Sequence, residues 1–152
     1  MRILVTGGAG FIGSSLCEKL IQSGHHVVAL DSMFRGSEAN LASIVDRDGF
    51  TLYIGDVRDI DDLDACVDLL GGLDLVYHLA AINGTKWFHE AAHSVIDVNV
   101  NGTLRTLEVA MAHDAKYVFA SSPEAFGEPI SQPMSDGCLL YTSDAADDSL
   151  GV

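Results

Sequence analysis

The sequence is poor in basic residues, in cysteine and in long apolar runs. Eight lysines and arginines stand against 22 aspartates and glutamates, so the formal net charge is −14 at pH 7. Because nucleic acids and anionic membrane surfaces attract basic proteins, this charge predicts that neither of them is a partner. No apolar stretch approaches the roughly 18 residues that a membrane-spanning helix requires.

The three cysteines, Cys17, Cys66 and Cys138, follow no disulfide or metal-binding spacing. Cys17 and Cys66 lie among apolar residues in helical patterns, which is typical of reduced core cysteines in a cytosolic protein. The first predicted strand starts at residue 2 and leaves no space for a secretory signal in the given sequence. We therefore expect a cytoplasmic protein without a structural metal.

A glycine-rich run follows the first apolar segment, residues 3–5. The run, residues 6–13 (TGGAGFIG), leads into a helical pattern, and this order of strand, turn and helix builds a phosphate-binding cradle. Gly7 permits the tight turn, Gly10 lets a pyrophosphate approach the backbone, and Gly13 lets the helix pack on the strand. The N–H groups at the helix N-terminus then attract the anion.

An acid stands at the end of the second predicted strand, residues 26–31. Asp31 follows Gly13 by 18 residues, close to the spacing of about 20 for the acid that binds the ribose of a dinucleotide. Its carboxylate would accept hydrogen bonds from the 2′-hydroxyl of NAD and repel the 2′-phosphate of NADP. Arg35 is close enough to soften this preference, so NAD is the favoured cofactor and NADP the less favoured one. The alternative is that Asp31 only caps the next turn.

Strand and helix patterns alternate through the rest of the chain. Further strands are predicted at residues 50–54, 73–81 and 117–120. Helices are predicted around residues 41–45, from Asp59 to a stop at Gly71 and Gly72, and along an apolar stripe formed by Ile96, Val100, Leu104, Leu107 and Met111. This order predicts an α/β fold, a doubly wound parallel (Rossmann) sheet truncated after about five strands. With 152 residues, 48% of them hydrophobic, the chain suffices for one domain.

Five segments together resemble a known family. They are residues 6–13 (TGGAGFIG), 55–59 (GDVRD), 78–81 (HLAA), 97–103 (DVNVNGT) and 121–127 (SSPEAFG). In this order they are similar to the extended short-chain dehydrogenase/reductase family, the NAD-dependent epimerases and dehydratases of nucleotide sugars. The resemblance implies an enzyme that oxidises a sugar hydroxyl by hydride transfer to NAD and then epimerises or decarboxylates the product. It also implies a nucleotide-sugar substrate and a homodimeric parent protein.

The resemblance assigns roles to individual residues. Asp56 would hold the adenine amino group, Val57 would donate its backbone N–H to the ring, and Asn99 would brace the active site. The Ser122 hydroxyl would bond to the reacting sugar oxygen and polarise it, and the Ser121 backbone would meet the nicotinamide. The alternatives are a purely structural Asn99 and a plain turn at Ser121 and Ser122. The predicted cofactor-binding residues are Gly7, Gly10, Phe11, Ile12, Gly13, Asp31, Arg35, Asp56, Val57, Leu79, Ala80, Ala81, Asn99 and Ser121, and the predicted catalytic residues are Ser122 and Glu124.

The type of reaction depends on the residues that follow Ser122. Similar enzymes that eliminate water use an Asp-Glu pair there, whereas this chain has Pro123 and Glu124. The missing acid favours an epimerase or a decarboxylase over a dehydratase.

Three other functions remain as alternatives. One is a non-catalytic dinucleotide-binding sensor, and another is an NADP-dependent carbonyl reductase. The third and most remote is a zinc hydrolase, because His89, Glu90 and His93 fit the HExxH pattern. On one helix, the two histidines would share a face and the glutamate would act as the base.

The end of the sequence departs from the family pattern. The catalytic Tyr-x-x-x-Lys pair that the resemblance implies downstream is missing, because no lysine follows Lys116. Residues 138–147 (CLLYTSDAAD) match one reading frame of a transposase-end sequencing adapter. We therefore expect residues 1–137 to form an incomplete NAD-binding domain, residues 138–152 to be a non-native tail, and the C-terminal substrate domain to be absent. The chain itself would then be an inactive fragment.

Overall fold

The computed structural model describes residues 1–122, of which Met1–Ala120 form one compact unit. Strands and helices alternate along this unit. The strands are β1 (Arg2–Thr6), β2 (His26–Asp31), β3 (Phe50–Ile54), β4 (Leu75–His78) and β5 (Lys116–Phe119). The α-helices are α1 (Phe11–Gln22), α2 (Ile60–Leu70), α3 (Thr85–Glu90), α4 (Ala92–Ile96) and α5 (Gly102–Ala112). A 3₁₀ helix at Glu38–Leu41 and a π-helical segment at Asp97–Asn101 complete the order.

The five strands form one parallel sheet in the order β3-β2-β1-β4-β5. This arrangement confirms the predicted doubly wound fold. Strand β1 lies in the middle, because Thr6 is aligned with Leu30 of β2 on one side and with His78 of β4 on the other. The chain therefore changes its direction across the sheet at β1. In sheets of this kind, ligands bind at the carboxyl ends of the strands beside such a switch point.

Apolar side chains cover both faces of the sheet at its centre, which is why β1 and β2 read as continuous apolar runs. Leu4 belongs to a cluster with α2 and α5, whereas Ile3 and Val5 belong to a cluster with α1 and the segment around the 3₁₀ helix. All three side chains are fully buried. Burial of each contributes about 1.5 to 3 kcal/mol to folding. The two clusters hold the helices against the sheet and fix the strand ends that carry the candidate site.

Helix α2 begins and ends where the sequence predicts. The Asp59 carboxylate accepts a hydrogen bond from the Asp61 N–H at 3.0 Å, a cap that stabilises a helix by about 1 kcal/mol. Gly71 ends the helix with φ 66°, in the left-handed region. Glycine reaches that conformation without a steric penalty because it has no Cβ. The predicted stop at Gly71 is therefore confirmed.

The connection between β2 and β3 differs from the prediction. The helix expected around residues 41–45 is replaced by the 3₁₀ helix and a series of turns. Leu41, the last residue of the 3₁₀ helix, and Ile44 are nevertheless buried against the sheet, because the turn closed by the Ile44 N–H on the Leu41 carbonyl at 2.9 Å keeps both side chains on one side. The Asn40 amide donates a hydrogen bond to the Ala9 carbonyl at 2.8 Å and fixes this connection on the glycine-rich turn.

The helix predicted along the stripe from Ile96 to Met111 is formed by α4, the π-helical segment and α5, which follow one another without a gap, but it does not extend back through α3. Ala91, with φ −145° and ψ 41°, separates α3 from α4. His89 lies on α3 and His93 on α4, and the uninterrupted helix face that the zinc-hydrolase alternative requires is not formed. Among residues 1–122, no group of three histidine, cysteine or acidic side chains could hold a metal ion.

The apolar stripe on α4, the π-helical segment and α5 faces outward. Ile96, Val100, Leu104 and Met111 are between 51% and 73% exposed. The side of α5 that packs inward carries smaller residues, including Gly102, Thr106, Val109 and Ala110. The spacing therefore identifies an apolar face that does not face the sheet. Within residues 1–122, no helix has the length and apolar character needed to cross a lipid bilayer.

Candidate cofactor site

The glycine-rich turn leaves the N-terminus of α1 open. Gly7 has φ 70°, and a Cβ there would lie 2.9 Å from the Ala80 nitrogen, so only glycine fits between β1 and the loop after β4. Gly13 packs so closely that a Cβ would overlap the Gly7 carbonyl oxygen. No side chain of the described residues caps α1 at Gly10. The first N–H groups of α1 are therefore available to an anion.

Asp31 is the buried acid at the end of β2, with 8% of its surface exposed. Its Oδ2 accepts a hydrogen bond from the Ala9 N–H at 2.9 Å, and its Oδ1 accepts one from the Met33 N–H at 2.9 Å. Asp31 thus caps the following turn, as the alternative interpretation proposed, and also holds the glycine-rich turn. Each carboxylate oxygen has a second lone pair that remains able to accept a hydroxyl group.

Arg35 contacts the loop after β4. Its Nη1 donates to the backbone oxygen of Asn83 at 2.8 Å and to the Asn83 Oδ1 at 2.6 Å. The ring of Phe34, in the same loop as Arg35, packs on the ring of Trp87, in α3, with their centroids 4.8 Å apart. Within residues 1–122, the Arg35 guanidinium donates hydrogen bonds to Asn83 and none to Asp31. Its role in cofactor binding stays a prediction.

The loop after β3 presents an acceptor and a donor side by side. The Asp56 N–H donates to the Asp62 Oδ2 at 2.7 Å, and the Asp62 Oδ1 accepts the Tyr53 hydroxyl at 2.9 Å. Among the described residues, the Val57 N–H meets no hydrogen-bond acceptor. The Asp56 carboxylate and the Val57 N–H therefore offer the complementary pair that the edge of a base requires.

Arg58 ties this loop to the π-helical segment. Its Nε donates to the Asp56 Oδ1 at 3.0 Å, its Nη2 to the Asp56 Oδ2 at 2.5 Å, and its Nη1 to the Asp97 Oδ2 at 2.5 Å. The hydrogen bonds from Arg58 hold the pKa of Asp56 below its ordinary value. The Asn101 amide and then Arg58 lower the pKa of Asp97 in the same way. Both carboxylates are therefore ionised at neutral pH.

A buried network around His78 fixes the end of β4. The His78 Nδ1 accepts the Thr6 hydroxyl at 2.8 Å, and its Nε2 donates to the Thr103 hydroxyl at 3.1 Å, because Thr103 itself donates to the Asn99 carbonyl. The Thr6 hydroxyl oxygen also accepts the Ala80 N–H at 3.3 Å. Burial lowers the pKa of His78 to about 4, so the ring is neutral. This network sets the backbone of residues 79–81, which are predicted to lie along the cofactor.

Asn99 holds the next part of the same loop. Its Oδ1 accepts the Ile82 N–H at 2.8 Å, and its Nδ2 donates to the Ile82 carbonyl at 3.0 Å. Asn99 lies in the π-helical segment, a conformation that occurs frequently at functional sites. The contacts agree with the structural role weighed for this residue, while a direct contact with a cofactor stays a prediction.

The carboxyl edge of the sheet brings together most of the predicted cofactor-binding residues. They occupy the turn after β1 (Gly7, Gly10, Phe11, Ile12 and Gly13), the end of β2 (Asp31), the loop after β3 (Asp56 and Val57) and the loop after β4 (Leu79, Ala80 and Ala81). Ser121 and Ser122 follow the compact unit Met1–Ala120 and are not part of it. Glu124 and the tail after residue 137 lie outside the described residues. The roles predicted for these residues therefore remain predictions.

Three residues that shape the site were missed by the sequence analysis. Arg58 and His78 stand inside recognised motifs, but their neighbours received the assigned roles. Asp62 lies in the first turn of a helix that Asp59 already caps. An acid beyond those needed for capping was the one signal that could have drawn attention to it.

The fold and the site place the chain in the class of doubly wound dinucleotide-fold domains. This class is defined by a parallel sheet with this strand order, a glycine-rich turn at the switch point and an acid at the end of the adjacent strand. The chain belongs to the NAD dependent epimerase/dehydratase family, which it matches over residues 3–144. The resemblance based on the five motifs is thereby confirmed. The match runs past residue 137, where the predicted foreign tail begins, so the boundary of that tail stays a prediction.

Individual relatives include decarboxylases, epimerases and a dehydratase. The chain is 34% identical over 136 residues to UDP-glucuronic acid decarboxylase 1 of Arabidopsis thaliana, covering 90% of this chain and 29% of that protein. It is 34% identical over 140 residues to UDP-N-acetyl-alpha-D-glucosaminuronate decarboxylase of Bacillus cytotoxicus, covering 92% of this chain and 42% of that protein.

Solved structures show the same fold. UDP-glucose-4-epimerase from Stenotrophomonas maltophila, with bound NAD and formylated UDP-arabinopyranose, superposes with a TM-score of 0.80 at 28% identity, covering 91% of this chain and 42% of that one. DesIV, a dTDP-glucose 4,6-dehydratase from Streptomyces venezuelae with NAD bound, gives a TM-score of 0.75 at 33% identity, covering 86% and 42%. The chain therefore spans less than half the length of these relatives.

Proposed function

We propose that this chain is the cofactor-binding portion of a nucleotide-sugar enzyme that uses NAD. The observation that carries the proposal is the pairing of an uncapped α1 N-terminus with the buried Asp31 carboxylate, held by the Ala9 N–H at 2.9 Å. A helix end that attracts anions beside an acid that accepts hydroxyl groups suits the two halves of an adenosine diphosphate. The NAD bound in the two related structures supports the same assignment.

Each part of the dinucleotide meets suitable groups. The N–H groups of Phe11 and Ile12 would receive the pyrophosphate, and Asp31 would accept the hydroxyls of the adenosine ribose. Asp56 would accept the adenine amino group, while the Val57 N–H would donate to the ring. The nicotinamide half would lie along residues 79–81 on the other side of β1, with Asn99 holding the adjacent loop and Ser121 beyond it in the chain.

The same geometry favours NAD over NADP. A 2′-phosphate would be placed against the negative charge of Asp31, and a cation would be needed to offset the repulsion. Arg35 is the candidate for that cation, but its guanidinium is hydrogen-bonded to Asn83 at 2.6 Å and 2.8 Å. We therefore assign NADP as the weaker ligand.

The reaction of the parent protein would be oxidation of a sugar hydroxyl, followed by epimerisation or decarboxylation. Bound NAD supplies a hydride acceptor. The Ser122 hydroxyl would bond to the reacting sugar oxygen, and Glu124 follows two residues later, with Pro123 where a dehydratase would carry an acid. The two decarboxylases among the relatives support a UDP-sugar substrate. We expect the chain by itself to bind cofactor without turning over sugar, because the given sequence lacks the Tyr-x-x-x-Lys pair.

Calorimetric titration of the purified chain tests the cofactor assignment. NAD is expected to bind more tightly than NADP, and Asp31→Ala is expected to weaken NAD binding by roughly 10- to 100-fold through loss of charged hydrogen bonds. Asp64→Ala, which removes an exposed acid from α2, serves as the control for net charge and should bind as the unaltered chain does. Absence of NAD binding by the unaltered chain, or equal binding by Asp31→Ala, would contradict the proposal.

We further propose that the parent protein is a cytoplasmic homodimer. Support for the dimer comes from the outward apolar stripe, in which Leu104 is 51% and Met111 73% exposed. Support for the location comes from Cys17 and Cys66, which are both buried and form no disulfide in the described part. Sedimentation of the full-length natural protein tests the dimer. Leu104→Glu is expected to yield monomers, whereas an unchanged sedimentation coefficient would reject this interface.

A further inference from the structure

The Asp62 side chain, in the first turn of α2, holds the loop after β3. Its Oδ2 accepts the Asp56 N–H of that loop at 2.7 Å, and its Oδ1 accepts the hydroxyl of Tyr53, near the end of β3, at 2.9 Å. Gly55 passes so close that a Cβ there would lie 2.6 Å from Oδ2. The carboxylate therefore fixes the orientation of the peptide that joins residues 55 and 56.

Helix capping does not account for these contacts. Asp59 already caps α2 by accepting the Asp61 N–H. Asp61 supplies a second negative charge in the first turn of the helix, where the helix dipole favours it. Asp61 is exposed, whereas Asp62 is half-buried and directed at the loop. The two neighbouring acids thus share a helix turn and a charge but differ in whether they touch the loop.

The loop that Asp62 holds carries the two groups assigned to adenine. The Asp56 carboxylate is fixed laterally by Arg58, which is itself paired with Asp97. The Val57 N–H, which has no acceptor among residues 1–122, lies one peptide further along. Asp62 and Arg58 both contact this loop, so the acceptor (the Asp56 carboxylate) and the donor (the Val57 N–H) are fixed before any ligand arrives. This reduces the entropy lost on binding.

We propose that Asp62 is a positioning residue that sets the preference of this site for an adenine base. The inference rests on the proposed NAD binding and adds a determinant of specificity to it. Adenine presents an amino donor and a ring-nitrogen acceptor on its Watson–Crick edge, and this edge complements a carboxylate next to an N–H. Hypoxanthine presents a carbonyl and a ring N–H instead, so it would face the same two groups with both polarities reversed.

The experiment compares the affinities of NAD and of nicotinamide hypoxanthine dinucleotide, measured by calorimetry on the full chain. The unaltered chain is expected to prefer NAD by roughly tenfold or more, because the hypoxanthine edge leaves polar groups unpaired. Asp62→Ala is expected to weaken NAD binding about tenfold and to weaken binding of the analogue much less, so that the preference falls towards unity. Asp62→Asn, which keeps an oxygen for the Asp56 N–H, should restore most of the preference.

Asp61→Ala is the matched control, because it removes the same charge from the same helix turn without touching the loop. It should leave the ratio of the two affinities unchanged. If Asp62→Ala does not fold by circular dichroism, Tyr53→Phe decides the question, since it removes only the hydroxyl that bonds to Oδ1 and should lower the ratio about threefold.

The outcomes separate the two proposals. An unchanged ratio in the folded Asp62→Ala variant, or in Tyr53→Phe where Asp62→Ala does not fold, overturns the positioning role and leaves NAD binding intact. An equal loss of affinity for both dinucleotides is one form of this result, because a purely structural role of Asp62 would weaken both and leave their ratio unchanged. Absence of NAD binding by the unaltered chain overturns the proposed function and this inference together.

Discussion

Lowering the pH from 7 to 5 should destabilise this chain through one buried side chain, His78. The imidazole is 1% exposed, and its hydrogen bonds with Thr6 and Thr103 suit a neutral ring. Burial lowers its pKa from the ordinary 6.5 to about 4 in the folded chain. Between these two values the unfolded chain binds a proton that the folded chain does not. Stability is therefore intact above pH 6.5 and falls as the pH decreases towards 4.

The size of the effect follows from the two pKa values. A difference of this kind gives a loss of about 2 kcal/mol between pH 7 and pH 5, with a slope approaching 1.4 kcal/mol per pH unit in the middle of the range. The carboxylates of Asp56 and Asp97, which are paired with Arg58, do not add to this loss, because they take up protons at a lower pH than His78 does. The lowered pKa values of Asp56 and Asp97 mean that their contribution is lost only as the pH falls below about the ordinary value of 3.8.

Urea unfolding at a series of pH values measures this loss directly. The free energy of unfolding should decline between pH 6.5 and pH 4.5 in the unaltered chain. His78→Gln, which keeps one hydrogen-bonding nitrogen and does not titrate, should be less stable at pH 7 but nearly independent of pH over the same range. Equal slopes for the two proteins would refute the assignment of the effect to His78.

Three further predictions follow from the packing. Gly13→Ala should lower the free energy of unfolding by about 1 to 3 kcal/mol in urea titration, since its Cβ would overlap the backbone of the glycine-rich turn. Asn99→Ala should cost roughly 2 kcal/mol in the same assay, because it leaves both polar backbone groups of one residue without partners. In a Cys138→Ser background, Cys17 and Cys66 should react with a thiol reagent only after unfolding, because burial raises the pKa of each thiol to about 12. Modification of the native chain at the rate of a free thiol would contradict the last prediction.

The sheet could be predicted from the sequence because each strand is short, apolar and bounded by recognisable turns. Burial on both faces leaves β1 and β2 as continuous apolar runs, and Gly71 marks the end of α2 by its need for positive φ. The stripe that begins at Ile96 was recognised as one face of a helix, but periodicity does not state which surface covers that face. The turns after the 3₁₀ helix, which ends at Leu41, were missed because the spacing of three residues between Leu41 and Ile44 also fits an α-helix.

The candidate site was predictable only where residues close in sequence form it. The glycine-rich turn and Asp31 belong to one strand-helix-strand unit, so their spacing in the sequence was enough to predict that they meet. The contact of His78 with Thr6 joins residues 72 apart in the chain, and no local pattern encodes a partner at that distance. The contact of Arg58 with Asp97, 39 residues away, was missed for the same reason.

The central position of β1 affects how the chain folds during synthesis. Its first neighbour, β2, follows within a few tens of residues, but its second neighbour, β4, starts at residue 75. At roughly 5 to 20 residues per second, the ribosome would need about 4 to 14 seconds to deliver it. Throughout that interval, one edge of β1 exposes backbone groups that can pair with another nascent chain. A ribosome paused just before residue 75 would therefore prolong the state in which this protein is most prone to aggregate.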